Sequence, residues 1–520
     1  MLKKYLNNRF CVLYLTPLVI GLLAVFSFQP YNIVGINFLI LPIFFSLTVY
    51  INKKSKSTFR KKTYRKNLFI FGCMFGFGFY LSGISWITNS LTFDESFKIL
   101  IPYVIILIPL FLSLFVGLAT LLIGPFLTYN IPSIFIFSVG LGLSDFLRAK
   151  VLTGFPWNLW AYSLSWSVEM LQILNLVGLF ALNLIVITIF TFPAFLFFKI
   201  TITKKFFISL FITILILTNY LFGSYEINKN ANYLQTFNEK INVKIISPNF
   251  DLEYGVSTNQ IENKIKKLIR FSEPENNKKT LFIWPEGIFS GYSYKEITIF
   301  KDIIAKNFNK NHYIILGINK LDEVKGGFYN SLLLVDNNFE IIQQYNKQKL
   351  VPFGEFLPLE NLLNKFGLKK ITEGFGSFQK GSKQKNITFD RLNILPLICY
   401  EIIFTSFIQK ASSETNLIVN ISEDAWFGNT IGPDQHFVKS IFRAIESGTF
   451  LLRSANKGIS AIIDNKGVVI KKLNRNEAGN IDFDIPLINS KKIKNDLIFI
   501  ILLITYLFIF KFYKNNTYGK

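Results

Sequence analysis

Histidine, cysteine and acidic residues are all scarce in this chain of 520 residues. It has two histidines and three cysteines, and they do not fall at the spacing of a zinc-ligand cluster. Two of the cysteines, Cys11 and Cys73, lie within long apolar runs, so the three form no disulfide framework. No glycine-rich, phosphate-binding loop precedes a helix. The sequence therefore argues against a metal centre, and we expect the protein to use no cofactor.

The 33 acidic residues are outnumbered by 56 lysines and arginines, which gives a formal net charge of +23. An excess of this size can indicate a nucleic-acid partner. Here the basic residues are spread along the chain or gathered in short loops between apolar runs, and asparagine, isoleucine and phenylalanine are abundant as well. That pattern is typical of the composition that an AT-rich genome produces, so we expect no nucleic-acid partner.

Apolar sequence is what this chain has in excess. Its hydrophobic content of 51% and mean hydropathy of +0.37 are high for a soluble protein. A helix that crosses a bilayer needs about 20 apolar residues, and eight runs come near that length or exceed it. They are 11–29, 32–51, 67–88, 99–128, 131–148, 168–199, 206–224 and 497–513. The sequence therefore predicts a multi-pass α-helical membrane bundle of about eight transmembrane helices.

The charged loops between these runs predict an orientation. The loop 52–66 carries eight lysines and arginines and no acidic residue, so the positive-inside rule assigns it to the cytoplasm. Lys3, Lys4 and Arg9 assign the N-terminus to the same side. Seven spans then deliver residues 225–495 to the opposite face, and the eighth returns the C-terminus to the cytoplasm.

The segment 225–495 has the sequence pattern of a water-soluble domain, in which short strand-like runs alternate with amphipathic helical ones. The predicted strands are 242–247, 280–284, 313–318, 331–336, 393–399, 416–422 and 458–464, and the predicted helices are 261–271, 297–308 and 433–448. We therefore divide the chain into a membrane domain at 1–224, one layered α/β domain at 225–495, and a last span with a short tail at 496–520.

Three residues with complementary chemistry follow three of the strand-like runs in this domain. They are Glu286 in IWPEG, Lys347 in YNKQKLVPFGE and Cys399 in LICYE. A thiol attacks an acyl carbonyl only as thiolate, and its ordinary pKa of about 8.5 means that a base must take its proton. Glu286 is a candidate base, and the Lys347 ammonium a candidate stabiliser of the oxyanion. Taken singly, Cys399 could equally be core packing, Glu286 a surface acid and Lys347 a solvated lysine.

The strings around these residues resemble one family. IWPEG, YNKQKLVPFGEFLP, LICYE, NISEDAWFG with GPDQHF, and RAIESGTFLLRSANKGISAIID are similar to those of apolipoprotein N-acyltransferases. That family joins a carbon-nitrogen hydrolase domain, a nitrilase-like αββα sandwich, to a bundle of membrane helices. TGFPWN (153–158), with Asp145 and Arg148 shortly before it, is similar to the family pattern in the membrane half.

The resemblance implies roles for individual residues. Cys399 would be the nucleophile, Glu286 the general base and Lys347 the stabiliser of the tetrahedral intermediate. Supporting or substrate-binding roles would fall to Glu355, Tyr400, Glu401, Asp424, Trp426 and Tyr254. We expect Asp424 and Trp426 near the rim of the active site. The family carries a tryptophan after the first strand of the catalytic domain, which this chain lacks, and Tyr254 is the residue expected in its place.

The resemblance also implies a reaction and a location. An acyl chain would pass from a phospholipid, with phosphatidylethanolamine as the expected donor, through a Cys399 thioester to the N-terminal amine of a diacylglyceryl apolipoprotein. The protein would lie in the cell inner membrane, with the catalytic domain periplasmic and 353–378 acting as a mobile lid toward the bilayer. One alternative is a membrane-tethered amidase of the nitrilase superfamily that hydrolyses a small C–N bond. Another is a non-catalytic scaffold or transporter.

Overall fold

The computed structural model describes residues 8–58, 63–237, 239–324, 326–358, 360, 376–382, 385–490 and 496–518. The chain separates into two compact units, Met1–Tyr225 with Lys494–Lys520, and Glu226–Ile493. The helices are α1 (Thr16–Leu23), α2 (Asn37–Thr58), α3 (Thr63–Ile84), α4 (Ile101–Ile123), α5 (Ile131–Lys150), α6 (Leu174–Val177), α7 (Leu179–Thr191), α8 (Ile202–Gln235), α9 (Thr258–Ser272), α10 (Tyr294–Ile297), α11 (Lys301–Asn307), α12 (Thr405–Gln409), α13 (Gly432–Ser447) and α14 (Leu497–Tyr518).

The first unit is built from apolar helices. Seven helical stretches in the described part of the chain are long and apolar enough to cross a membrane, and the prediction of a multi-pass helical bundle is confirmed. They are Val34–Lys54, Tyr64–Thr92, Glu95–Phe126, Ile131–Lys150, Leu179–Phe197, Ile202–Gln235 and Leu497–Lys514. The run expected as a first span, 11–29, forms a shorter apolar helix at Cys11–Ser27.

The run 168–199 is not one continuous helix, as the sequence had suggested. Gly178 lies between α6 and α7 with φ of 82°, a left-handed value that glycine adopts without a steric penalty and that ends a helix. The long apolar stretch therefore begins only at Leu179.

A buried polar cluster holds the end of α5 in the first unit. Arg148 Nη2 lies 2.9 Å from Asp145 Oδ1, and Asn183 Nδ2 donates to Asp145 Oδ2 at 2.9 Å. Arg148 also donates to the carbonyl oxygen of Phe155, within the TGFPWN segment. Arg148 and Asp145 are both buried, so each charge has its partner close by, as burial requires.

The second unit contains two mixed six-stranded sheets, and the predicted nitrilase-like α/β fold is confirmed. The strands are β1 (Lys240–Ser247), β2 (Thr280–Ile283), β3 (His312–Leu321), β4 (Phe328–Val335), β5 (Ile341–Asn346), β6 (Ile387–Phe389), β7 (Leu392–Ile398), β8 (Leu417–Glu423), β9 (Phe450–Asn456), β10 (Ser460–Ile463), β11 (Val469–Leu473) and β12 (Gly479–Pro486). One sheet has the order β12-β1-β2-β3-β4-β5 and the other β11-β10-β9-β8-β7-β6. Three adjacent strands run parallel in each sheet: β1, β2 and β3 in one, and β7, β8 and β9 in the other.

Alternation of side chains along each strand divides the apolar residues between two cores. Leu332 and Leu334 of β4 join the cluster that also holds residues of β7, β8 and β9, so they fill the space between the sheets. Leu333 and Val335 point to the other face and pack with residues of α9 and α11. Burial on both faces leaves the strand ends as the places where polar chemistry can reach the surface of the domain.

Candidate active site

Glu286 follows β2 and is held by three donors. Its Oε1 accepts hydrogen bonds from Asn330 Nδ2 at 2.6 Å and from Lys347 Nζ at 3.2 Å, and its Oε2 accepts one from the backbone N–H of Glu423 at 3.1 Å. The side chain is almost completely buried. Glu286 is therefore a fixed carboxylate at the end of a parallel strand, and the sequence alternative of a solvated surface acid does not apply.

Lys347 follows β5 and lies between two carboxylates. Its Nζ is 2.8 Å from Glu355 Oε1 and 3.2 Å from Glu286 Oε1, and the side chain is 1% exposed. Burial opposes the charged form, but the charges of Glu286, Glu355 and Cys399 outweigh it and hold the pKa of Lys347 well above its ordinary value. The two carboxylates therefore favour the protonated ammonium, and Lys347 is not a solvated lysine.

Glu355 is fixed from the other side. Its Oε2 accepts the backbone N–H of Val351 at 2.8 Å, while its Oε1 accepts from Asn330 and Lys347. Glu286, Lys347 and Glu355 thus form one buried ion-pair cluster. The structure brings together these three residues, which come from separate segments of the chain.

Cys399 is the first residue of a short 3₁₀ turn that follows β7. It is partly buried and unpaired, and its φ of 47° is unusual for a residue with a side chain. Burial of the thiol, followed by the negative charge of Glu286, raises the pKa of Cys399 above its ordinary value, and the positive charge of Lys347 only partly opposes this. At neutral pH the group is a thiol, so an attack on a carbonyl requires a base.

Glu401, two residues after Cys399, connects the cysteine turn to the lysine loop. Its carboxylate accepts the backbone N–H of Ile398 at 2.9 Å and those of Gln348 and Lys349 at 2.7 and 3.1 Å, as well as the Tyr345 hydroxyl at 2.9 Å. Burial raises the pKa of Glu401 to about 7 against these donors. Glu401 therefore links the two segments through hydrogen bonds to both. Tyr400 is partly buried, and its ring packs against Phe404.

Asp424 is buried inside the domain, and its charge acts on the Cys399 thiol. Its expected place near the rim of the active site stays a prediction. Its carboxylate is 2.8 Å from Arg453 Nη2 and 3.0 Å from His436 Nδ1, and it accepts from Ser422 Oγ at 2.7 Å. Burial opposes ionisation, but Arg453 and His436 hold the pKa of Asp424 well below its ordinary range. The buried carboxylate needs these partners because β8 and β9 enclose it completely.

The remaining predicted residues lie in loops. Trp426 is in the 3₁₀ turn Ala425–Phe427, directly after Asp424, and Tyr254 is in the loop after β1; both are partly exposed. Their roles stay predictions. Most of the predicted lid 353–378 lies outside the described residues, which omit 359 and 361–375.

Four polar residues of this region were missed by sequence reasoning: Asn330, Ser422, His436 and Arg453. His436 and Arg453 stand within strings that carried the family resemblance, and each is fully buried. No signal in the sequence marked Asn330, which lies within a strand. Within the described residues, no group of three or more His, Cys, Asp or Glu side chains could hold a metal ion.

The fold and this cluster define the class of the protein. Residues 255–494 match the family model described as Carbon-nitrogen hydrolase, and the second unit is therefore a domain of that superfamily. Residues 20–192 match the model described as Apolipoprotein N-acyltransferase N-terminal domain.

Relatives that match most of the chain identify the family within this superfamily. The chain is 33% identical to Apolipoprotein N-acyltransferase of Rickettsia prowazekii over 90% of this chain and 91% of the relative. Its identity to the proteins of the same name is 31% in Rhizobium rhizogenes, over 80% of this chain and 79% of the relative, and 29% in Rhodopseudomonas palustris, over 90% and 88%. The chain belongs to the apolipoprotein N-acyltransferase family, and it is a multi-pass membrane protein.

Alkylation of the thiol tests the resting state of Cys399. We expect iodoacetamide to react with Cys399 more slowly than with a free cysteine at neutral pH, because a raised pKa leaves a smaller thiolate fraction. The reaction should accelerate only at alkaline pH. The measurement is the label mass on the full chain in a Cys11→Ser, Cys73→Ser background, so that only Cys399 reacts. Alkylation that is complete at mildly acidic pH would contradict a resting thiol.

Substitution of Glu401 tests whether its carboxylate holds the cysteine turn and the lysine loop together. In the wild type both carboxylate oxygens accept backbone N–H groups. In Glu401→Gln one oxygen is replaced by an NH₂ group, which is a donor and cannot accept them, so the lysine loop and the cysteine turn should shift relative to each other. We expect acylation of Cys399 to slow by about 100-fold, which is the usual effect of a displacement of about 1 Å at a reacting centre. Single-turnover kinetics measure this. The control is Glu414→Gln, a change of the same chemistry at an exposed position. Equal rates in the two variants would contradict a linking role for Glu401.

Proposed function

We propose that the protein transfers an acyl chain from a phospholipid to the N-terminal amine of a diacylglyceryl-cysteine on a lipoprotein, through a thioester at Cys399. The observation that carries this proposal is the buried ammonium of Lys347, held between Glu286 and Glu355, in electrostatic reach of the Cys399 thiol. Membership of the family supports the lipoprotein acceptor.

The first half-reaction forms the thioester. Glu286 takes the proton of Cys399 as the sulfur attacks the carbonyl carbon of the ester, so the S–C bond forms while the oxyanion develops near the Lys347 ammonium. The carbonyl then re-forms, the C–O bond to glycerol breaks, and the proton on Glu286 passes to the glycerol oxygen. The lysophospholipid leaves, and the acyl chain stays on Cys399.

The second half-reaction uses the same residues in the opposite direction. The uncharged α-amine of the acceptor attacks the thioester carbonyl and forms the C–N bond. Glu286 takes the proton that the nitrogen loses, and it returns a proton to the sulfur as the C–S bond breaks. The thiol and the carboxylate are restored, so no external proton or electron is needed over the cycle.

The membrane helices fit substrates that carry acyl chains. Exposing such chains to water costs about 0.8 kcal/mol per CH₂, so both the donor and the acceptor stay in the bilayer. The charge of the loops supports a catalytic domain on the periplasmic face of the cell inner membrane. Phosphatidylethanolamine is the donor that we propose.

The rival function is a membrane-tethered amidase, which the carbon-nitrogen hydrolase domain alone would also support. The two functions differ in what attacks the acyl-enzyme. In the amidase it is water, and in the acyltransferase it is an amine. A test must therefore present both acceptors.

The test supplies the detergent-solubilised protein with phosphatidylethanolamine bearing an isotope-labelled sn-1 chain and with a diacylglyceryl-cysteinyl peptide. We expect the labelled chain on the peptide amine and an equal amount of lysophospholipid, both by mass spectrometry. The matched control is the same peptide with an acetylated amine, which should receive no label. Release of free fatty acid at the same rate with either peptide, or cleavage of a small amide instead, would support the amidase and contradict the transferase.

A further inference from the structure

Asn330 of β4 lies between the two buried carboxylates of the site. Its Nδ2 donates to Glu286 Oε1 at 2.6 Å and to Glu355 Oε1 at 2.8 Å. The Nζ of Lys347 bonds to the same two oxygens, at 3.2 and 2.8 Å. Two nitrogen donors and two carboxylate oxygens thus form a closed ring, which neither donor could complete alone.

The chemistry of the ring determines which way the amide points. In the reverse orientation, the carbonyl oxygen of Asn330 would face two carboxylate oxygens, and ionised carboxylates have no hydrogen to donate. The NH₂ group must therefore face Glu286 and Glu355, and both of its hydrogens are used. The Lys347 ammonium has three hydrogens, so one of them remains outside the ring for the developing oxyanion.

Charge explains why an uncharged donor stands here. Two carboxylates and one ammonium leave one net negative charge among three side chains that are 8%, 7% and 1% exposed for Glu286, Glu355 and Lys347. Hydrogen bonds to the charged form stabilise it, and the amide supplies two of them with no charge of its own. A second cation would neutralise the base, and a hydroxyl could donate to only one of the two oxygens.

We propose that Asn330 is a positioning residue whose amide holds Glu286 and Glu355 together as an ionised pair around Lys347. Glu286 is then ready to take the thiol proton; this role of Glu286 rests on the proposed function. The backbone carbonyl of Asn330 accepts the N–H of Lys347 at 2.8 Å, and this bond survives a change of side chain. Side-chain variants therefore test the amide by itself.

The variants are Asn330→Asp and Asn330→Ala, with Ser331→Ala as the matched control. Asn330→Asp keeps the shape of the side chain but replaces the two donors by an acceptor. Ser331 is the next residue on β4, is buried, and donates to Asn346 Oδ1 at 2.8 Å, so its loss removes a buried hydrogen bond outside the ring. The probe is p-nitrophenyl butyrate, whose burst of nitrophenolate reports acylation of Cys399 in the full chain. The burst rate is measured from about pH 5 to about pH 9, with Cys399→Ala as the blank.

We expect both Asn330 variants to lose at least about tenfold in burst rate at neutral pH. The acidic limb of the profile should move up by about one pH unit or more, because a carboxylate that loses a donor takes up a proton more readily. A third carboxylate in the ring should lower the melting temperature of Asn330→Asp, so each burst rate is measured on protein shown to be folded. Asn330→Ala, which adds no charge, decides the matter if Asn330→Asp does not fold. In Ser331→Ala the acidic limb of the pH profile should stay at its wild-type position.

Two results would overturn the proposal: a wild-type acidic limb in a folded Asn330 variant, or an equal shift of that limb in Ser331→Ala. The absence of a burst in the wild type would contradict acylation of Cys399, and with it the role proposed for Asn330. The ester probe contains no phospholipid. A protein that shows the burst and the Asn330 effect, yet transfers nothing from phosphatidylethanolamine, would contradict the proposed function and leave the role of Asn330 supported.

Discussion

The buried ion pairs of Lys347 with Glu286 and Glu355 are the interaction on which the rest of the site depends. A charge taken out of water is costly unless its partners are close, and breaking such a pair by removing one partner typically costs about 3 to 5 kcal/mol. The three side chains come from the end of β2, the end of β5 and the loop after it. The cluster can form only when the whole sheet is in register, so the fold and the chemistry of the site are coupled.

This cluster also determines the state of the nucleophile. Burial and the charge of Glu286 raise the pKa of Cys399, and one ammonium shared between two carboxylates cannot reverse this. The sulfur therefore rests as a thiol, and in the proposed mechanism it becomes nucleophilic only while Glu286 takes its proton. A resting thiol is oxidised less readily than a thiolate, which suits a free cysteine on the proposed periplasmic face. In the proposed mechanism the same carboxylate serves both half-reactions, because it ends each of them in the state in which it began.

Much of the fold, and part of the site, could be predicted from local sequence. Glu286 and Cys399 follow the apolar runs that form the parallel strands β2 and β7, whereas Lys347 follows β5, which was not among the predicted strands. The membrane helices could be predicted because lipid imposes a length and a composition on each of them. The seven predicted strands all exist, since buried strands in this fold are short continuous apolar runs.

What could not be predicted depends on contacts between distant segments. Asn330 is one polar residue inside β4, and its importance arises only because β5 pairs with β4 and delivers Lys347 beside it. The strand β9 was missed because Arg453 interrupts its apolar run. That arginine is tolerated in the interior because Asp424 lies 2.8 Å away and the oxygens of Asn420 and Ile459 accept its other hydrogen bonds. The burial of Asp424 could not be predicted either, because its partners Arg453 and His436 lie on other segments of the chain.

The most direct test of this account is the intact mass of the protein after exposure to phosphatidylethanolamine. We predict an added mass of one acyl chain that hydroxylamine removes, that is absent in Cys399→Ala, and that disappears when the diacylglyceryl-cysteinyl peptide is added. An adduct that persists in Cys399→Ala, or one that resists hydroxylamine, would contradict acyl transfer through a thioester at Cys399.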